Sequence, residues 1–298
     1  MPDRAPRLLC AGETFEDLIF AALPRIPLPG EELRTDVFTR TYGGGALIAA
    51  AWARSLELDV ELLTALPTQA RKILRAEGIA YRCVRGLREP HAVTACLSFG
   101  NERSFATFPG VNDALEERLL RLLTPPREVP SGDALLFGMP PRRPRLWAQW
   151  QRTARFAAEI PEVFWDFGYD EDLPTRPGFD RLVETATGVF VNATELALYD
   201  RRGRALSRAA ESGTLVIVKH GPDGAAVLGR PDTAVAAPVP IHGVVDTTGA
   251  GDAFAAGFLA RRLSGGSLEE QLAAGNACGV RSVQRLGGLP DRPWRRGR

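Results

Sequence analysis

The chain reads as an α/β protein: a mostly parallel central sheet covered by helices on both faces, with a small β-strand lid. Three observations predict it. Short apolar runs rich in β-branched residues alternate with helix-length patterns along most of the 298 residues, an alternation that builds parallel sheets. Two stretches, about 13–42 and 80–108, break the rhythm with short strands, turns and little helix. The run VDTTGAGDAFAAGFLA at 245–260 closes a small-residue turn onto a long helix.

Taken in order, Leu8–Gly12 is a first strand, its apolar stretch being too short for a secretory signal. Ala46–Leu56 is small and helix-prone, Asp59–Leu63 a short strand, and Thr68–Gly78 a helix with a glycine stop. Ala134–Phe137, Val163–Asp166, Val189–Asn192 and Thr214–Lys219 follow as strands. Arg145–Glu159, Gly178–Ala186, a segment from Thr194 and Gly251–Leu263 are the helices around them. His91–Phe99 and Arg103–Phe108 pair as a hairpin across Gly100-Asn101. The two irregular stretches combine into the lid, giving one domain over 1–290, and 291–298 is a basic tail. Exposed strand edges seek partners, so the lid predicts a homodimer.

Composition excludes several classes. The 37 basic residues nearly balance 36 acidic ones, so no global field points to nucleic acid. No apolar run approaches the roughly 18 residues of a membrane span. Cys10, Cys83, Cys96 and Cys278 show neither metal-ligand spacing nor a disulfide framework, which predicts a reducing cytoplasm.

The chemistry concentrates at 247–252. Thr247-Thr248-Gly249-Ala250-Gly251 is a turn whose missing side chains let a ligand approach the main chain. The helix that follows points unpaired N–H groups at one spot, where its dipole also favours negative charge. Phosphate, or charge developing during phosphoryl transfer, fits there. Asp252 stands in the first turn. Alone, such a carboxylate is an ordinary helix stabiliser worth about 0.3–1 kcal/mol. Bound phosphate would repel it, however, whereas a base accepting a hydroxyl proton has to stand there. The chain contains no GxxxxGK[ST] phosphate loop, and Phe254 occupies the third glycine position of a dinucleotide turn.

DTTGAGDAF resembles the second signature of the ribokinase-like (PfkB) carbohydrate kinases, and further segments agree in order. They are Gly12–Asp17, Pro29-Gly30-Glu31, Tyr42–Ala46, Asn192-Ala193-Thr194-Glu195, Lys219–Gly224 and Asn276-Ala277 through Gly288. The resemblance covers about residues 8–290 and implies an ATP-dependent kinase acting on a hydroxyl of a sugar or nucleoside. It implies Asp252 as catalytic base, with backbone amides of Gly249, Ala250, Gly251 and Asp252 holding the phosphoryl group. It implies substrate contacts from Asp17, Gly43, Gly44 and Asn112. Nucleotide contacts fall to Asn192, Glu195, Lys219, Gly221, Gly224 and Asn276, with Glu195 and Asn192 organising Mg²⁺ through water. Asp246 and Thr248 match positions that bind a monovalent cation such as K⁺ in many members. Asn192 with Glu195 three residues on also reads as a helix-capping pair. Asp166 ends an apolar strand and is expected to face the site.

Two departures lie on the substrate side. Leu47 stands where the family usually has an asparagine, and a leucine selects against a hydroxyl there. The segment 63–68 lacks the usual glycine–aspartate loop. They leave a second reading open, a catalytically weak ligand-binding or regulatory protein on the same scaffold. A nicotinamide oxidoreductase is disfavoured by Phe254.

Overall fold

The computed structural model describes residues 5–99, 102–124, 132–156, 160–201, 203–230 and 243–290. Its main sheet takes strands β1 (Arg7–Gly12), β4 (Asp59–Thr64), β5 (Ala80–Cys83), β8 (Ala134–Gly138), β9 (Glu162–Asp166), β10 (Gly188–Asn192), β11 (Leu215–Lys219) and β12 (Ala225–Val227). They lie in the order β12-β11-β10-β9-β8-β1-β4-β5. The neighbours pair in parallel except β12, which runs antiparallel to β11.

Successive strand side chains point to opposite faces, so each strand feeds two cores. Leu8, Cys10, Leu136 and Phe164 enter one, and Leu9, Ala11, Leu135, Phe137 and Trp165 the other. The first face is covered by α1 (Gly45–Ser55), α2 (Thr68–Ala76), α8 (Ala250–Leu263) and α9 (Leu268–Val283). The second is covered by α3 (Leu115–Leu122), α4 (Pro144–Phe156), α5 (Phe179–Thr185), α6 (Ala193–Asp200) and α7 (Ala205–Glu211). Phe137 and Trp165 stack there at 4.2 Å, with Trp147 and Trp150 edge-on to Phe137. Each indole N–H in this cluster finds an acceptor, as a buried polar tip requires. Trp147 donates to Glu116, Trp150 to the Leu123 carbonyl and Trp165 to Gln151.

A second sheet takes β2 (Phe15–Leu23), β3 (Val37–Gly43), β6 (Val93–Phe99) and β7 (Glu102–Phe108), in the order β3-β2-β6-β7. It is the expected β appendage with one correction. Residues 80–83 belong to the main sheet instead, as its edge strand β5 beside β4. The helix α2 returns the chain to that edge, and Arg82 bonds Glu61 across the pair at 2.8 Å. The hairpin β6–β7 forms as expected. Its turn Gly100-Asn101, the predicted helix residues 157–159 and the basic tail 291–298 lie outside the described residues. Among the described residues no helix is long and apolar enough to cross a membrane.

Candidate active site

Parallel strands gather their ligands at their carboxyl ends, and here the ends carry the chemistry. Asp166 closes β9, Asn192 closes β10 and Lys219 closes β11. Sheet register sets Asn192 beside Lys219. The Lys219 ammonium donates to Asp166 Oδ2 at 2.7 Å. Burial works against its charge, but Asp166 and Glu195 outweigh that and hold its pKa above the usual lysine value.

Asn192 and Glu195 cap α6 reciprocally. Asn192 Oδ1 accepts the Glu195 N–H at 2.8 Å, and Glu195 Oε2 accepts the Asn192 N–H at 2.9 Å. Capping does not remove Glu195 from the site. It lines the same cavity as Lys219 and Asp166. Burial and then the Asp166 charge raise its pKa, Lys219 notwithstanding.

Above these strand ends the chain enters α8. Gly249 has φ +74°, and a Cβ there would lie 2.8 Å from Gly288 Cα, so the turn demands glycine. The first N–H groups of a helix have no intrahelical acceptor. A methyl on Gly251 would lie 2.9 Å from Lys219 Nζ, so the ammonium faces the helix start. Asp252 sits in that first turn, and its Oδ1 would lie 2.9 Å from a methyl on Gly45. Burial and repulsion from Asp166 push the Asp252 carboxyl up to about 7, against the pull of Lys219.

A cavity of about 460 Å³ opens here, lined by Asp252, Gly249–Gly251, Asp166 and all six residues expected to meet a nucleotide: Asn192, Glu195, Lys219, Gly221, Gly224 and Asn276. Asn276 Nδ2 is buried without a partner among the described residues. Val244, Val280 and Val283 give that end apolar walls. Among the described residues, no group of three His, Cys, Asp or Glu side chains could hold a metal by itself.

The expected substrate residues lie on the other side of Gly45. Any side chain at Gly43 would collide with the Asp17 carboxyl, which therefore packs over that glycine. Burial, with the Glu16 charge beside it, pushes Asp17 up to about 7. Gly44 has φ +99° and backs onto the Glu13 carbonyl, again excluding a Cβ. Asn112 is buried and donates to the Thr14 carbonyl at 3.3 Å, while its Oδ1 has no partner among the described residues. The predicted residues thus form two groups that meet where Asp252 approaches Gly45. Leu47 is the exception. It is fully buried in the core under α1 and has no surface toward this cleft.

Two sets of residues escaped the sequence reading. Asp17 pairs with Thr41 on β3 and with Thr94 on β6, which pairs with Thr107 on β7. Directly opposed residues share a sheet face, so Thr41 and Thr94 flank Asp17 on its two sides, and Thr107, one strand further out, bonds Thr94 at 3.1 Å. Arg103, on the same face of β7 by alternation, reaches across to Asp246 at 2.8 Å and to the hydroxyls of Thr247 and Thr248. Period-two counting from Asp17 is the signal that could have found both, given the register.

The fold and the cleft define a small-molecule phosphotransferase. The family model "pfkB family carbohydrate kinase" matches residues 5–295, and the chain belongs to that family of carbohydrate kinases. It is similar to the ATP-dependent ribose-1-phosphate kinase of Halopiger xanaduensis, with 29% identity over 94% of this chain and 93% of that one. Among solved structures, ribokinase from Giardia lamblia superposes with a TM-score of 0.79 at 15% identity, covering 97% of this chain and 98% of that one. Burkholderia thailandensis nucleoside kinase in complex with inosine gives 0.75 at 19% identity, covering 95% and 92%. These two show the shared fold. The protein is thus a carbohydrate kinase of the pfkB family.

Proposed function

We propose that the protein transfers the terminal phosphoryl group of ATP to a hydroxyl of a pentose-like sugar or its nucleoside, with Asp252 as the general base. The observation that carries this reading is the position of Asp252: one carboxylate borders both the helix-start amides and the glycine run under Asp17. The acceptor hydroxyl and the phosphoryl group meet there.

Asp17 and the Gly43–Gly44 main chain hold substrate hydroxyls, groups suited to a polyol, while the Oδ1 of Asn112 is buried out of their reach. The apolar strip of Val244, Val280 and Val283 takes a flat purine, and the orphaned Asn276 amide donates to its edge or ribose. The phosphate chain then runs past Lys219 to the amides of Gly249–Asp252, where the helix start stabilises the charge spread over the transferring group. Asp252 takes the hydroxyl proton as the oxygen attacks, the new P–O bond forming as the bond to the ADP oxygen breaks. A carboxyl near 7 suits that task, since a base works best with a pKa close to ambient pH.

Glu195 and Asn192 fit a Mg²⁺ organised through water. Glu195 is a hard oxygen donor whose pKa is raised by burial and then by the Asp166 charge, so an added cation offsets that repulsion. When bound, the ion neutralises phosphate charge during transfer.

The four-stranded sheet serves as the lid over the acceptor, and as the meeting surface of a homodimer. Val37, Phe38, Phe105 and Phe108 lie exposed on it. Light scattering of the purified protein tests the dimer, and a monomer at micromolar concentration would remove it.

The reaction is tested by incubating the protein with ATP, Mg²⁺ and a panel of ribose, ribose-1-phosphate, other pentoses, sugar acids and nucleosides, read by product mass. One panel member gaining a single phosphate is the expected result. ADP binding without any phosphorylated product across the panel would defeat the reading.

A further inference from the structure

Asp246 and Thr248 sit where the family resemblance places a monovalent cation, immediately before the turn that forms the proposed anion hole. The Asp246 carboxylate is buried, at 9% exposure. Its Oδ1 accepts the Thr248 N–H at 2.9 Å, the Thr248 hydroxyl at 2.7 Å and Arg103 Nη1 at 2.8 Å. Its Oδ2 accepts the Gly287 N–H at 2.8 Å. Arg103 also donates from Nη1 to the Thr248 hydroxyl and from Nη2 to that of Thr247.

This donor set does not fit an alkali ion. Such an ion needs several oxygens free to turn toward it, and here the Asp246 and Thr248 oxygens already serve a guanidinium. Guanidinium and alkali ion each carry one positive charge, so one replaces the other in the local balance without room for both. A planar guanidinium also bridges several acceptors at fixed geometry, which a spherical ion does not.

We propose that Arg103 is the chain's internal substitute for the monovalent cation: a positioning residue that fixes the Asp246–Thr248 segment beneath the anion hole and frees turnover from alkali ions. The proposal rests on the kinase reading of that helix start. It also changes what the positive charge depends on. A dissolved cation is present whatever the protein does, whereas Arg103 is carried by β7, in the sheet that covers the acceptor side. Bringing β7 against residues 246–248 therefore delivers the charge, and the anion hole is held in shape when that sheet is docked.

The test compares the wild type with Arg103→Ala and Arg103→Lys in KCl, NaCl and choline chloride at one ionic strength. Two readouts are taken: turnover of the substrate found in the panel, and the thermal unfolding midpoint. The wild type should show equal kcat/KM, within about twofold, and equal midpoints in all three salts. Arg103→Ala should lose roughly 10–100-fold in kcat/KM in choline chloride, as a small displacement of reacting groups does. KCl or millimolar guanidinium should restore much of it, and KCl should raise its midpoint. Arg103→Lys, keeping charge without the fork, should fall between. Activation of the wild type more than about threefold by K⁺ would overturn the proposal, as would an Arg103→Ala protein whose turnover and midpoint answer to no cation. Should Arg103→Ala fail to fold, the wild-type salt series and Arg103→Lys still decide. If no panel member is phosphorylated, the kinase reading is at fault, and the midpoints alone judge Arg103.

Discussion

The two sides of the cleft are built differently. The proposed phosphate side centres on main chain, a left-handed Gly249 and the opening amides of α8, to which the strand-end side chains of Asp166, Asn192 and Lys219 are added. The acceptor side is made of side chains from separate strands, with Asp17, Thr41, Thr94 and Thr107 brought level only by sheet register. A phosphoryl group is the same in every kinase of this kind, so a compact backbone device serves it. Acceptors differ, and hydroxyls on a β-sheet can be exchanged one by one without disturbing that device.

The comparison breaks most directly at Asp252. Asp252→Asn should lower kcat by about 10²–10⁴-fold, the usual contribution of a general base. ADP affinity, measured by calorimetry, should stay within a few-fold, since the amides remain. A kcat within a few-fold of wild type would reduce Asp252 to a helix-start carboxylate and leave the phosphate side without its base.

The next effect is on pH. With Asp252 near 7, protonation removes the base, so kcat should fall about tenfold per unit on the acid side of that value. Burial sets most of the shift and Asp166 adds to it. Asp166→Asn removes that repulsion, so the acid limb should move down by about one unit. A limb that stays put or moves up would mean another group titrates.

A smaller effect sharpens the acceptor side. Thr94→Val and Thr107→Val each delete one hydroxyl, at about 0.5–1.5 kcal/mol per hydrogen bond. Each should raise the acceptor KM by about two- to tenfold and change kcat less. Loss appearing only in kcat would place these hydroxyls outside the acceptor pocket.

How much was legible follows the same division. The 245–260 run is legible because the turn, the helix start and Asp252 are contiguous in sequence, and the capping pair at Asn192 and Glu195 is local too. The alternation of strands and helices gave the main sheet because each element carries its own period. Residues 80–83 were misplaced because four residues hold too little pattern to tell one sheet from another. Arg103 and the three threonines were missed because only pairing across β2, β3, β6 and β7 puts them near Asp17 or Asp246. Leu47 misled for a related reason. Counting along the glycine loop places this position at a pocket wall, whereas the third residue of α1 turns into the core.

The smallest expected effect asks whether the phosphate side holds its base at a cost to the fold. The pKa of Asp252 is higher folded, about 7, than in an unfolded chain, where it sits near 3.8. Between those values the native state binds more protons than the unfolded one, so this group's contribution to stability declines as pH rises through that window. Above about pH 7 the full cost of a buried charge remains. Asp252→Asn removes it, while also giving up the helix-start attraction of about 0.3–1 kcal/mol. The burial cost should win, so the variant should melt about 2–4 °C above wild type at pH 8, the gap narrowing toward pH 5. Scanning calorimetry at the two pH values measures this. A variant less stable at pH 8 would mean the carboxylate serves the helix more than it strains the site.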